Sequence, residues 1–236
     1  MKEEKLMVDG KRIDGRLPEQ LRDIKMKLNV VTRANGSAEV KFGKTTAIAS
    51  VHGPRALYPR YLQESGTGIL RIRYNMAPFS VNDRKSPGPD RRSTEISKVI
   101  RLALGPTIFL EDFPKITIDG FAEIIEADGS TRVTAINALS LALAAAGIPM
   151  EDLVASCSVG KIDGTLVVDL NGKEDNNSEA DMAFAMLPNK GVISLLQMDG
   201  ALTKKEVLKL LQLAKESCMK IYEMQIKVLK DFTSGE

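Results

Sequence analysis

The stretch ADGSTRVTAINALSLALAAAGIP (127–149) decides the fold. It opens with two turn formers, two hydroxyls and an arginine, continues as an apolar run, and is stopped by Gly147 and Pro149. A helix that is apolar nearly all round has to be buried on every side, so the run predicts a central core helix with other elements packed about it. Strand patterns flank it in both directions. Upstream, Ile24, Met26, Leu28 and Val30 alternate, an Asn35-Gly36 turn follows, and Val40, Phe42 and the run 45–51 continue a meander. Leu70, Ile72, Tyr74 and Met76 then alternate with Arg71, Arg73 and Asn75, which puts both arginines on one face of a further strand.

The loop SVNDRKSPGPD (80–90) is dense in Pro, Gly and Asp and is expected to be exposed. From Ser93 onward Ile96, Val99, Ile100, Ala103 and Leu104 have helical spacing, so Arg91 and Arg92 stand where that loop enters a helix. Residues 116–125 read as a strand interrupted at Asp119-Gly120. Beyond the central helix, VASCSVG, an Asp163-Gly164 turn, TLVVDL, an acidic loop, MAFAML and VISLLQM form a second meander. A last helix begins at Thr203, with Glu206 completing a capping box and Val207, Leu210, Leu211, Ala214, Cys218, Ile221 and Tyr222 along one stripe. Strands, helices, strands and a helix in that order make the class α+β. The expected organisation is one domain over 1–236, with an N-terminal lobe of about 10–147 and a C-terminal lobe of about 153–232.

At 236 residues the chain buries roughly 70–75% of its unfolded surface and needs no staples. Its two cysteines and single histidine, His52, exclude a Cys/His zinc cluster and a disulfide framework, which points to a reducing cytoplasm. The amino terminus MKEEKLMVDGKR is charged without an apolar centre, and no run approaches the ~18 apolar residues of a membrane span, so a soluble, membrane-free protein is expected. Net charge is only +2, yet it is unevenly placed. Residues 55–101 carry ten Lys/Arg, eight of them Arg (Arg84 among them), against four acids. Arginine suits phosphate through its planar fork of donors. Residues 163–181 reverse the sign, with six acids against Lys173.

ADGSTRV has two readings. A buried helix begins with about four unpaired N–H groups and a partial positive charge, and Gly129 lets a ligand approach the backbone. Ser130 and Thr131 either cap that helix or, with Arg132, seat an anion. A rival phosphate loop at FGKTT (42–46) fails, because Ala38 stands where a P-loop needs glycine and a strand pattern follows. The acidic block DLNGKEDNNSEADM is no EF-hand, since Lys173 and Glu174 occupy its fifth and sixth positions. Asp175 and Asp181 flank a polar turn into a strand, where they hold Mg²⁺, or lend one carboxyl as a general acid to a leaving oxygen, or are solvated loop charge. His52 has no Ser or Cys partner and reads as structural, and no Gly-x-Ser-x-Gly elbow is present.

RIDGR (12–16), HGPR, YNMAPFSVNDRKSPGPDRRSTEISKVI, EADGSTR, AAGIPMEDLVA and the final EADM together resemble the ribonuclease PH family, most of all the catalytic ribonuclease-PH-like subunits of the archaeal exosome. The resemblance spans nearly the whole chain. It implies a two-lobed β-α-β fold and a ring of three heterodimers with a related noncatalytic subunit, covered by RNA-binding cap proteins. It also implies phosphorolysis: inorganic phosphate attacks the 3′-terminal linkage of RNA and releases nucleoside diphosphates, with synthesis of RNA tails as the reverse. By the same resemblance Arg92, Thr131 and Arg132 hold the phosphate, with Gly129 and Ser130 offering backbone donors, while Arg55, Arg60 and Arg91 bind RNA. Asp175 matches the catalytic carboxylate and Asp181 the second acid, a Mg²⁺ partner. Ser130 departs from the glycine of many relatives, and DNNSEADM is more polar in its middle than usual. Two other readings compete. A noncatalytic, RNA-binding ring subunit is disfavoured by the retained acidic pair, and hydrolysis would leave Thr131 and Arg132 without a nucleophile to seat.

Overall fold

The computed structural model describes residues 5–8, 10–83 and 85–234; Arg84 of the basic block lies outside them. The chain opens with the short strands β1 (Met7–Val8) and β2 (Lys11–Arg12), followed by β3 (Ile24–Leu28), β4 (Gly36–Phe42), β5 (Thr45–Ala56) and β6 (Ile69–Met76). Helix α1 (Arg91–Leu104), β7 (Ile116–Glu126) and α2 (Thr131–Ala145) complete the first half. The second half comprises β8 (Ala155–Ile162), β9 (Thr165–Val168), α3 (Gly172–Asn176), β10 (Ala180–Leu187), β11 (Val192–Gly200) and α4 (Lys204–Ser234). A five-stranded sheet of order β3-β4-β5-β7-β6 and a four-stranded sheet of order β11-β10-β8-β9 result, and among the described residues only β6 and β7 pair in parallel.

Helix α2 lies between the two sheets, touching β4, β5 and β7 on one side and β8 and β10 on the other. Twelve of its residues, from Thr131 to Leu143, are buried, as an all-round apolar helix requires. Its few polar side chains at 134, 137 and 140 recur every three residues and are all spent internally. Asn137 donates to Val133 O and Ser156 O, its Oδ1 accepts from Ser156 N, and Ser140 Oγ accepts from Val154 N. These bonds fasten α2 to β8, because a buried polar group left unpaired is costly. One apolar core runs through both sheets, with Phe42, Ile124, Leu139, Phe184 and Ile221 all in it. Truncating a fully buried leucine such as Leu139 to alanine therefore costs about 2–5 kcal/mol. Helix α4 covers β8 and β9, and Thr203 and Glu206 make the expected capping box.

Four expectations change. Helix α1 begins two residues before Ser93, because Asp90 accepts from Ser93 N and serves as its N-cap. Strand β7 is unbroken at Asp119-Gly120; a Cβ on Gly120 would lie 2.7 Å from Ile72 Cδ1, so this glycine permits close packing and makes no turn. The register shifts of this pairing fall instead on β5, between Thr46 and Ala47 and between His52 and Arg55. The acidic block contains a short helix, α3, where a loop was expected, and Asn171 caps it through Lys173 N and Glu174 N. Ser130 is not a side-chain cap, as described below.

Candidate active site

Ser130 occupies the N-cap position of α2 in the left-handed conformation, φ 57°, and makes no side-chain cap bond. Its hydroxyl donates to Leu170 O at 2.7 Å and lies 2.6 Å from Ser158 Oγ, tying the loop to the second sheet. The helix start is thus left with N–H groups that no side chain caps, beside a partial positive charge. That is the correction to the cap reading: the serine turns away, and the donors stay available to an anion. Gly129, at φ 71°, has no room for a side chain, since a Cβ there would lie 2.6 Å from Asn171 C. The loop before α2 and the loop before α3 are therefore pressed backbone to backbone.

Residues outside the expected set hold these loops. Thr45 Oγ1 donates to Gly129 O and accepts from Asp128 N, and Asp128 Oδ1 accepts from Gly172 N. Thr45 belongs to the FGKTT motif, which forms a β hairpin and no phosphate loop, so its part in the site is structural support. Arg22 donates to Asp128 O at 2.6 Å and, through Nε and Nη2, to Asp169 at 2.9 and 2.6 Å. Arg12, from RIDGR, donates to both carboxylate oxygens of Glu174 and to the carbonyls of Val168 and Asp169. Arg12, Asp169 and Glu174 are buried, so these are interior ion pairs that fix α3 and with it Asp175.

A cavity of about 420 Å³ opens in front of the two loops, lined among others by Arg92, Thr131, Arg132, Asp175, Asn176 and Asp181. Gly129 and Ser130 line it as well. Thr131 Oγ1 accepts from the buried Tyr74 hydroxyl at 2.9 Å, which leaves the threonine's own proton free to be donated. Burial raises the Tyr74 pKa, against the opposing Thr131 bond, and keeps it a neutral donor. Arg132 donates to Gln197 Oε1, and its Nε is buried without a partner. Burial and then the charge of Asp181 raise the Asp175 pKa, although Arg92, Arg132 and Arg22 pull it down. Asp181 is raised by burial and then by Asp199, against Arg132 and Arg92. A protonated carboxyl is a proton source, and two carboxylates that repel each other across one cavity suit a divalent cation. No cluster of three or more His, Cys, Asp or Glu able to hold a metal exists among the described residues.

Arg55, Arg60 and Arg91 do not line this cavity. Arg91 is the exposed first residue of α1, and Arg60 is exposed in a short 3₁₀ turn next to the exposed Tyr58 and Tyr61. Arg55 donates with Arg71 to the buried Asp119. Burial pushes the Asp119 carboxyl up, but the bonds from Arg71 and Arg55 outweigh it and hold its pKa below the usual value. The basic block is accordingly less positive in space than in sequence, because a carboxylate from β7 joins it.

The two-lobed sheet-helix-sheet fold thus brings an uncapped helix start, basic side chains and two carboxylates to one cavity. Residues 20–149 match the 3′ exoribonuclease family, domain 1, and residues 152–217 match its domain 2; the chain belongs to this ribonuclease PH family. The fold and the enzyme class implied by the sequence resemblance, a 3′ exoribonuclease, follow from that membership. The chain is 56% identical to the exosome complex component Rrp41 of Pyrococcus furiosus over 94% of its length and 89% of the relative's. It is 50% identical to Rrp41 of Pyrobaculum calidifontis, covering 96% and 92%, and 48% identical to that of Methanopyrus kandleri, covering 97% and 95%. The crystal structure of rice (Oryza sativa) Rrp46 shares the fold, with a TM-score of 0.82 at 22% identity, over 92% of this chain and 100% of that one. No helix among the described residues is long and apolar enough to cross a membrane.

Proposed function

We propose that the chain is the catalytic subunit of an exosome ring and degrades RNA from its 3′ end with inorganic phosphate, releasing nucleoside diphosphates. One observation carries this reading: the uncapped start of α2, Thr131, Arg132 and Arg92 line the same cavity as the raised carboxyls of Asp175 and Asp181. Phosphate sits against the α2 N–H groups, with Gly129 and Ser130 at its side and Thr131 donating its hydroxyl proton. Arg132 and Arg92 supply charge-assisted donors to phosphate and to the scissile linkage, where negative charge builds up during attack. A phosphate oxygen bonds to the 3′-terminal phosphorus, the P–O3′ bond breaks, and the departing O3′ takes a proton from Asp175. The reverse reaction extends RNA tails.

Asp175 and Asp181 are the residues that would hold Mg²⁺, which would supply positive charge to the same oxygens. Arg55, Arg60 and Arg91 lie outside the cavity and suit contacts to the upstream RNA backbone. The partners are a related noncatalytic ribonuclease-PH-like subunit, in a trimer of heterodimers, and RNA-binding caps. The outermost strand β11 supports a subunit contact, since Val192, Ile193, Leu196 and Met198 are exposed along it. Two buried free cysteines, Cys157 and Cys218, suit the cytoplasm. A purely structural ring subunit has no use for two desolvated carboxyls beside the anion seat. The test is RNA shortening by the assembled ring over a phosphate titration: wild type should respond with saturation and Asp175→Asn should be inert while still binding RNA. Shortening of equal rate without phosphate contradicts the proposal.

A further inference from the structure

Three elements remote in sequence meet at the Arg132 guanidinium. Arg132 lies in the first turn of α2, Gln197 on β11 of the second sheet, and Glu95 on α1. Gln197 Oε1 accepts from Arg132 Nη1 at 2.6 Å, and Gln197 Nε2 donates to Glu95 Oε1 at 3.1 Å. Glu95 Oε1 is itself 3.9 Å from Arg132 Nη2. A guanidinium is a rigid planar fork that grips an anion through two adjacent N–H groups. With Nη1 committed to Gln197, the edge left for an anion is Nε and Nη2, and Nε is the buried donor without a partner.

The glutamine amide has two distinguishable ends. The guanidinium only donates and the Glu95 carboxylate only accepts, so together they fix Oε1 toward Arg132 and Nε2 toward Glu95. The sheet fixes the rest. Gln197 pairs with Ala183, and Asp199 with Asp181, in the antiparallel register of β10 and β11. Ala183 and Asp181 line the cavity, and cross-strand partners share a face, so Gln197 points to the phosphate side of the sheet. A one-residue slip of this outermost strand would turn it away.

We propose that Gln197 is a positioning residue for the phosphate co-substrate: oriented by Glu95, it holds Arg132 so that the Nε–Nη2 edge is left for the anion. The inference rests on the phosphorolytic reading of the cavity. The experiment measures phosphate KM, kcat and RNA affinity in the assembled ring for wild type, Gln197→Met, Arg132→Ala and the double variant. A hydrogen bond to a charged group predicts a rise in phosphate KM on the order of tenfold for Gln197→Met, with RNA affinity and ring mass unchanged. In the Arg132→Ala background the same change should add nothing, because the two residues act as one unit. Gln197→Glu, which keeps an acceptor for Nη1, provides an assembled comparison if Gln197→Met fails to enter the ring; any change it makes in phosphate KM should likewise vanish in the Arg132→Ala background. Additive effects, or an unchanged KM in Gln197→Met, overturn the proposal. A wild-type ring that ignores phosphate instead overturns the phosphorolytic reading, so the two failures are distinct.

Discussion

Replacing Arg22 by methionine removes a single side chain that fastens both catalytic loops. Its Nε and Nη2 donate to Asp169 and its Nη1 donates to Asp128 O, so the substitution strips a buried carboxylate of its closest cation and removes one tie of the loop before α2. Breaking a buried ion pair by removing one partner costs about 3–5 kcal/mol. Arg16 Nη1 remains 3.5 Å from Asp169 Oδ2, and Arg22 N still donates to that oxygen, so the lower end, about 3 kcal/mol, is expected. At roughly 2–4 °C per kcal/mol for a domain of this size, Tm should fall by about 6–12 °C in calorimetry of the purified chain. Adding Asp169→Asn discharges that group and should restore part of the Tm. Phosphate KM in the assembled ring should stay raised in both variants, because the link to Asp128 O is still missing. A Tm loss under about 2 °C, or normal phosphate KM in the double variant, would refute the claim that Arg22 couples the two loops.

Other consequences are as direct. Asp175→Asn should abolish turnover and yet raise Tm at neutral pH. The carboxyl is held above its unfolded pKa chiefly by burial, so its ionisation opposes folding; the gain should shrink as pH falls and vanish below about pH 4, where both states carry the neutral acid. Unfolding curves of the two proteins across that range check it, and a Tm difference independent of pH would contradict it. Arg132→Ala removes a donor preorganised for the transition state and should lower kcat/KM for phosphate by about 10²–10³, measured by steady-state kinetics. Tyr74→Phe deletes the donor to Thr131, costing about 1 kcal/mol in stability and raising phosphate KM by a few fold, as denaturant titration and the same kinetics would show.

Much of this was legible in the residues. The apolar continuity of 133–146 specified a helix buried between sheets, and the six-residue separation of Asp175 and Asp181 brought two acids to one site. Hydrophobic period and turn chemistry are local properties, and they reported local structure. What stayed hidden depends on tertiary neighbours. Nothing in the serine of ADGSTRV predicts a left-handed backbone; Ser130 adopts it because Leu170 O and Ser158 Oγ hold its hydroxyl. The sequence around Asp119 suggested an interrupted strand, because the reason for Gly120 is a side chain from β6. Local pattern gives no sign of the partners of Arg12 and Arg22, because Glu174 and Asp169 lie about 150 residues away in the chain. Gln197 sat in a strand with no mark to distinguish it, and only the register of β11 brings it to Arg132.

The central claim is that the cavity seats phosphate as the nucleophile. Incubating the assembled ring with single-stranded RNA and isotopically labelled inorganic phosphate, then identifying the released nucleotides, tests it directly. Nucleoside diphosphates with the label in the β-phosphate are predicted; unlabelled nucleoside monophosphates would contradict the account, since water would then be the nucleophile.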